Sequence, residues 1–126
     1  MIRITIIATL VFIANISMAK AQTNEYKKFR TGKFKYENND DFIIKRTKRK
    51  QIEYNPKTKE KVVMRIKWKS DKEYTLKSTR IKNMPGCLKK GDVIFTVITS
   101  VSGNKSYCSF STKNCGEGES VIIKIE

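Results

Sequence analysis

The chain has 126 residues, with 27 Lys and Arg against 12 Asp and Glu, a net charge of +15 and no histidine. That length allows one small domain. The missing histidine excludes Ser–His and Cys–His nucleophiles, histidine metal sites and the usual neutral-pH proton shuttle. So large a cationic excess points either to polyanionic partners or to a surface kept soluble by charge.

Met1-Ile2-Arg3 is a short positive start, and Ile4 to Ser17 is apolar without a charge. Ala19-Lys20-Ala21 places small residues where a signal peptidase reads them, so residues 1–21 are expected to be a signal peptide. The apolar run is shorter than the roughly 20 residues of a membrane span, and a retained N-terminal anchor is the alternative. Cleavage leaves 105 residues, 22–126, as a single β domain of charge +13, the whole-chain +15 less Arg3 and Lys20. The expected location is secreted or periplasmic, and the processed chain is expected to be a monomer without a membrane span. The charge is uneven: residues 22–90 hold 22 cations against 8 acids, and residues 91–126 hold 3 against 4. One basic surface follows, rather than a diffuse excess.

Tyr26 to Tyr36 reads as the first strand. Phe29 and Thr31 share one parity and Phe34 and Tyr36 the other, so Gly32 is expected to form a bulge between them. After the polar turn 37–41, Phe42 to Thr47 places Phe42, Ile44 and Arg46 on one side. Lys48-Arg49-Lys50 leads into the short strand Gln51 to Tyr54, and Asn55-Pro56-Lys57-Thr58 is a turn. Val62, Met64, Ile66 and Trp68 then alternate with Lys61, Arg65, Lys67 and Lys69, the pattern of a half-buried antiparallel strand. Ser70-Asp71-Lys72-Glu73 turns the chain, and Tyr74 and Leu76 resume the apolar face. Residues 81–91 form one long connection, broken by Pro85-Gly86. Val93, Phe95, Val97, Thr99 and Val101 alternate, and Ser106 to Thr112 returns after the turn 102–105. With that turn centred between Gly103 and Asn104, Val97 is expected opposite Phe110 and Thr99 opposite Cys108. Residues 114–118 read as a loop, and Val121, Ile123 and Ile125 close the chain as a last strand.

About eight antiparallel strands in an all-β up-and-down meander tend to close into a barrel, which removes sheet edges; an open β-sandwich is the rival. Gly32-x-Phe34 resembles the Gly-x-Trp that opens lipocalin-like barrels. Phe29-x-Thr31-Gly32-x-Phe34-x-Tyr36, Arg46-Thr47-x-x-x-Gln51-x-Glu53 and Trp68-x-x-Asp71-x-x-Tyr74-x-Leu76 together resemble a group of small exported β-rich proteins of Bacteroidetes-type bacteria. That group is often mislabelled topoisomerase IV, and its function is uncharacterised. The resemblance covers about residues 26–80. A 105-residue exported domain cannot supply the machinery of a type II topoisomerase, so the resemblance implies a family without a mechanism. It singles out Arg46, Gln51, Glu53 and Asp71.

No enzyme is expected. The sequence holds no phosphate-binding glycine loop, and Cys87, Cys108 and Cys115 lack metal-ligand spacing, so no cofactor or metal is expected. Asp40-Asp41 and Glu117 with Glu119 read as solvated acids of a turn and a loop. Export favours oxidation, and the expected register brings Cys115 opposite Asp92, near where the Cys87 connection enters. A Cys87–Cys115 disulfide is therefore expected, with Cys108 a buried free thiol. Phe34, Tyr36, Trp68 and Tyr74 are expected in the core. Arg46 is either an inward anchor for an anionic ligand or half of an Arg46–Glu53 pair tying two strands. Arg65, Lys67 and Lys69 are the candidate contacts to anionic polysaccharide, lipopolysaccharide or another polyanion, with nucleic acid unlikely; a merely solvating face is the competing reading. A carrier holding a small apolar ligand in the barrel is the alternative function.

Overall fold

The computed structural model describes residues 25–126. The expected signal peptide and cleavage point lie outside the described residues. Eight strands follow in order: β1 Gly32–Tyr36, β2 Asn39–Arg46, β3 Lys50–Tyr54, β4 Lys61–Trp68, β5 Glu73–Lys82, β6 Val93–Ser102, β7 Lys105–Thr112 and β8 Gly116–Lys124. Each pairs antiparallel with the next, and β8 returns to β1, so the meander is a closed barrel rather than an open sandwich. Closure rests on a short seam in which Phe34, Lys35 and Tyr36 pair with Lys124, Ile123 and Ile122.

Alternation on β4 and β5 builds one wall as its sequence dictates. Val62, Met64, Ile66, Tyr74 and Leu76 are buried, while Lys61, Arg65, Lys67 and Lys77 are exposed. These five inward residues pack with Ile98 and Cys108 as one part of the core, and Phe29, Phe34, Ile44 and Ile122 form another. Phe34 and Tyr74 are buried and Tyr36 and Trp68 half-buried, with the Trp68 and Tyr74 rings 4.5 Å apart.

Three expectations are corrected. The first strand does not begin at Tyr26: residues 25–27 form a helical turn, closed by Phe29 N donating to Tyr26 O and Arg30 N to Lys27 O. Phe29 thus enters the core from a turn, and the parity change needs no bulge at Gly32. Gly32 has φ +127°, and a Cβ there would collide with the carbonyl oxygen of Glu126. Glycine is required because β1 must pass this close to the chain end, where Lys33 N donates to Glu126 O at 2.9 Å.

On β6 the inward side is Thr96 and Ile98. Phe95 and Val97 face solvent, 52% and 42% exposed. Near the turn the expected register holds, with Ser102 opposite Lys105 and Ser100 opposite Tyr107, but a bulge at Thr99 then slips the pairing by one. Thr96, not Val97, faces Phe110, and Ile98, not Thr99, faces Cys108. A one-residue slip exchanges the faces of a strand. The Thr99 hydroxyl donates to Tyr107 O at 3.1 Å, replacing a ladder bond at the bulge.

The inward side of β8 is Ile122, while Ile125 is 51% exposed. Pairing with β7 decides this: Ser106, Cys108 and Phe110 stand opposite Ile122, Ser120 and Gly118. Glu117 and Glu119 accordingly lie on β8 and not in a loop.

Cys87 and Cys115 are joined, with Cα atoms 5.3 Å apart, so the long β5–β6 connection is tied to the β7–β8 turn. Cys108 is free and buried. Burial pushes its thiol pKa up, against the Ser106 hydroxyl, which pulls it down.

Candidate functional site

Two arrangements stand out, one on the outside of the barrel and one inside. Outside, register aligns cations that the sequence spreads over 28 residues. Lys50 on β3 stands opposite Arg65 on β4, and Arg65 stands opposite Lys77 on β5. Lys61 and Lys82 form a second like-charged pair, and Lys33 and Lys45 a third. Like charges directly opposite across a ladder repel, in the range where cross-strand pairs act, about 0.2–1 kcal/mol. Among the described residues the ion pairs are Arg30–Asp71, Lys33–Glu126, Lys35–Asp40, Lys57–Asp41 and Lys105–Glu37. None of them neutralises Lys50, Arg65, Lys77, Lys61 or Lys82.

A bulge shapes this face. Val63 pairs with Arg80 and Met64 with Ser78, leaving Thr79 as the extra residue, its hydroxyl donating to Val63 O at 3.1 Å. Beside it Arg49, Lys50, Arg65 and Thr79 line a surface groove of about 520 Å³. Three cationic side chains thus border one groove on a sheet, whose backbone holds them more firmly than a loop would.

Inside, Arg46 is 4% exposed and Glu53 9%. They are not in direct contact. Arg46 Nε donates to Gln51 Oε1 at 2.8 Å, and Gln51 Nε2 donates to Glu53 Oε2 at 2.9 Å. Arg46 Nη1 donates to Phe29 O at 2.6 Å and Nη2 to the Tyr74 hydroxyl at 3.2 Å. The guanidinium also lies 5.1, 5.7 and 4.8 Å from the ring centres of Phe34, Trp68 and Tyr74, within cation–π range. The expected Arg46–Glu53 pair is thus a relay through Gln51, and the fork of Arg46 is turned to the N-terminal turn and Tyr74.

Glu53 also accepts from Tyr36, whose hydroxyl donates to Oε1 at 2.5 Å. Burial raises the Glu53 pKa, and its hydrogen bonds and the Arg46 charge only partly offset this. Tyr36 is pushed well above the usual phenol value by burial and by the adjacent carboxylate. Burial also raises Tyr74, with Arg46 opposing it. This network lines a cavity of about 320 Å³ together with the apolar Ile44, Leu76, Ile94, Phe110 and Ile122 and the polar Thr96, Glu119 and Ser120.

The four sequence-derived binding residues therefore separate. Arg46 is interior. Arg65, Lys67 and Lys69 point outward from β4 and the turn after it. Arg65 joins the cationic row, Lys67 stands opposite Thr75, and the Lys69 ammonium lies 5.4 Å from the Phe95 ring centre. Sequence reasoning placed Lys50 in a basic turn and missed its alignment with Arg65 and Lys77, because alignment depends on register. Tyr36–Glu53 was within reach, since Gln51, Glu53 and Asn55 share a parity. The three residues are buried.

Compared with protein-family models, curated proteins and solved structures, the chain matches none.

Proposed function

We propose that this is an exported, non-enzymatic binding protein that contacts polyanions outside the cytoplasm through the outer face of β3–β5. The reading is carried by the Lys50–Arg65–Lys77 row, a line of opposed cations without acidic partners among the described residues. An anion bridging the row removes repulsion within the sheet while adding attraction, so the same geometry that weakens the free protein favours the complex. The groove lined by Arg49, Lys50 and Arg65 offers one phosphate or sulfate group several donors at once. Lys67 and Lys69 extend the face along β4. Anionic polysaccharide and lipopolysaccharide are the polymers such a protein meets after export, and the Cys87–Cys115 disulfide suits that oxidising setting.

The experiment compares two variants of equal net charge on an anionic matrix such as immobilised sulfated polysaccharide. One reverses Arg65, Lys67 and Lys69 to Glu, and the other reverses Lys89, Lys90 and Lys113. Loss of retention confined to the first supports the reading. Equal loss in both reduces the face to a solubilising coat.

A further inference from the structure

The barrel interior holds a cavity apart from the basic face. An eight-stranded barrel is either filled by its side chains or left with room for one small ligand. Here about 320 Å³ stays open, at the low end of the 300–1,000 Å³ usual for small-molecule pockets. The wall is incomplete beside it. Backbone bonds from the β1 side reach β8 only as far as Val121, and Glu119 and Ser120, which line the cavity, lie on the stretch of β8 beyond that seam.

Arg46 and Glu53 both line the cavity, but they are partnered differently. Glu53 has no cationic group in hydrogen-bond contact: its bonded partners are the Tyr36 hydroxyl and the Gln51 amide. Each carboxylate oxygen accepts one of these bonds and has further lone-pair capacity. Arg46, the nearest guanidinium, directs its donors to Gln51, Phe29 O and Tyr74. A buried carboxylate without a directly bonded cation is costly, and a guest that brings one relieves the cost. The raised pKa of Glu53 is consistent with that shortage.

Phe110 and Glu119 line both the cavity and an adjoining surface groove with Phe95, Val97 and Glu117. Glu73, Val97, Ser109 and Glu119 form one continuous cross-strand row there. On the outer face of the barrel this row brings Glu73, Glu117 and Glu119 near the exposed Phe95 and Val97, with Lys69 lying on the Phe95 ring. We propose that the barrel interior binds a small amphiphilic amine, its ammonium at Glu53 and its apolar body against Ile44, Leu76 and Ile122. The Glu53 carboxylate attracts such a cation and repels the corresponding acid.

Three probes of one size test this by nuclear magnetic resonance titration of the oxidised protein: 2-phenylethylamine, 2-phenylethanol and phenylacetate. The amine should bind with a dissociation constant of about 1 mM or tighter, at least about tenfold tighter than the alcohol, and phenylacetate should not bind. Glu53→Gln should bring the amine down to the affinity of the alcohol, and a dispersed amide spectrum like that of wild type shows that the variant is folded. Ile94→Phe, which enlarges a side chain lining the cavity, should abolish both. Equal affinity for amine and alcohol, unchanged amine binding in Glu53→Gln, or no binding of any probe overturns the proposal.

Discussion

Replacing Arg46 with methionine should cost the protein about 4 kcal/mol, within the 3–5 kcal/mol typical of breaking a buried charged network. The change keeps most of the volume but removes donors to Gln51 Oε1, Phe29 O and the Tyr74 hydroxyl. It also leaves Glu53 without the positive charge that partly offsets its burial. A domain of this size has a total stability on the order of 5–15 kcal/mol, so the variant should stand close to its unfolding midpoint in mild urea. At about 4–8 °C per kcal/mol, the thermal midpoint should fall by about 20 °C. Urea denaturation followed by Trp68 fluorescence is the assay, since Trp68 packs on both Tyr74 and the Arg46 guanidinium. Adding Glu53→Met to Arg46→Met should recover part of the loss, because both charges then leave the interior together. A single-variant loss below about 1.5 kcal/mol, the worth of one ordinary hydrogen bond, with no coupling to Glu53, would refute the claim that Arg46 organises this interior.

Reduction of Cys87–Cys115, which closes a 28-residue separation, should lower stability by about 3.5 kcal/mol in the chain-entropy account, read as a shift in urea midpoint between oxidised protein and the double serine variant. Cys108 should resist alkylation in the folded state and react once urea unfolds the chain. Burial holds the Glu53 pKa above its ordinary 4.5, so the folded state keeps that proton more tightly than the unfolded chain does. The resulting stability is whole below about pH 4.5 and is lost as pH rises through the folded pKa. Relative to Glu53→Gln, wild type should therefore lose stability between acid and neutral pH, and a constant difference across that range would contradict the assignment. Gly32→Ala should destabilise by about 1–3 kcal/mol in thermal melts, from its left-handed φ and the collision with Glu126 O.

The wall of β4 and β5 was legible because its polar side is charged and its apolar side is not. Parity there admits one answer, and the turn 70–72 confirms it. β6 was misread for the opposite reason. Ile94, Phe95, Val97 and Ile98 put apolar residues on both faces, and the bulge that selects between them depends on the Thr99 hydroxyl finding Tyr107 O. Val121, Ile122 and Ile123 likewise fix no parity until β7 supplies a partner. Phe29 looked like a strand residue because its apolar character is all the sequence shows; its turn is set by packing against Phe34, 6.2 Å away between ring centres. For the candidate site, the inward side chain of Arg46 followed from its parity with Ile44. The Gln51 relay and the Lys50–Arg65–Lys77 row did not, since both are properties of pairing between strands. The disulfide was within reach because it needs only the ends of strands to be placed, and a one-residue error in register does not move them far.

The central claim is that a defined row of cations, and not total charge, binds polyanions. Its most direct test is the salt dependence of affinity for a short single-stranded oligonucleotide, used as a ruler of phosphate contacts. Each neutralised phosphate on a single strand contributes about 0.7 to the slope of log affinity against log salt. Changing Lys50, Arg65 and Lys77 to Ser should therefore make the slope about 2 units shallower than wild type, while changing Lys89, Lys90 and Lys113 to Ser should leave it nearly unchanged. Equal changes of slope in the two variants would contradict the account.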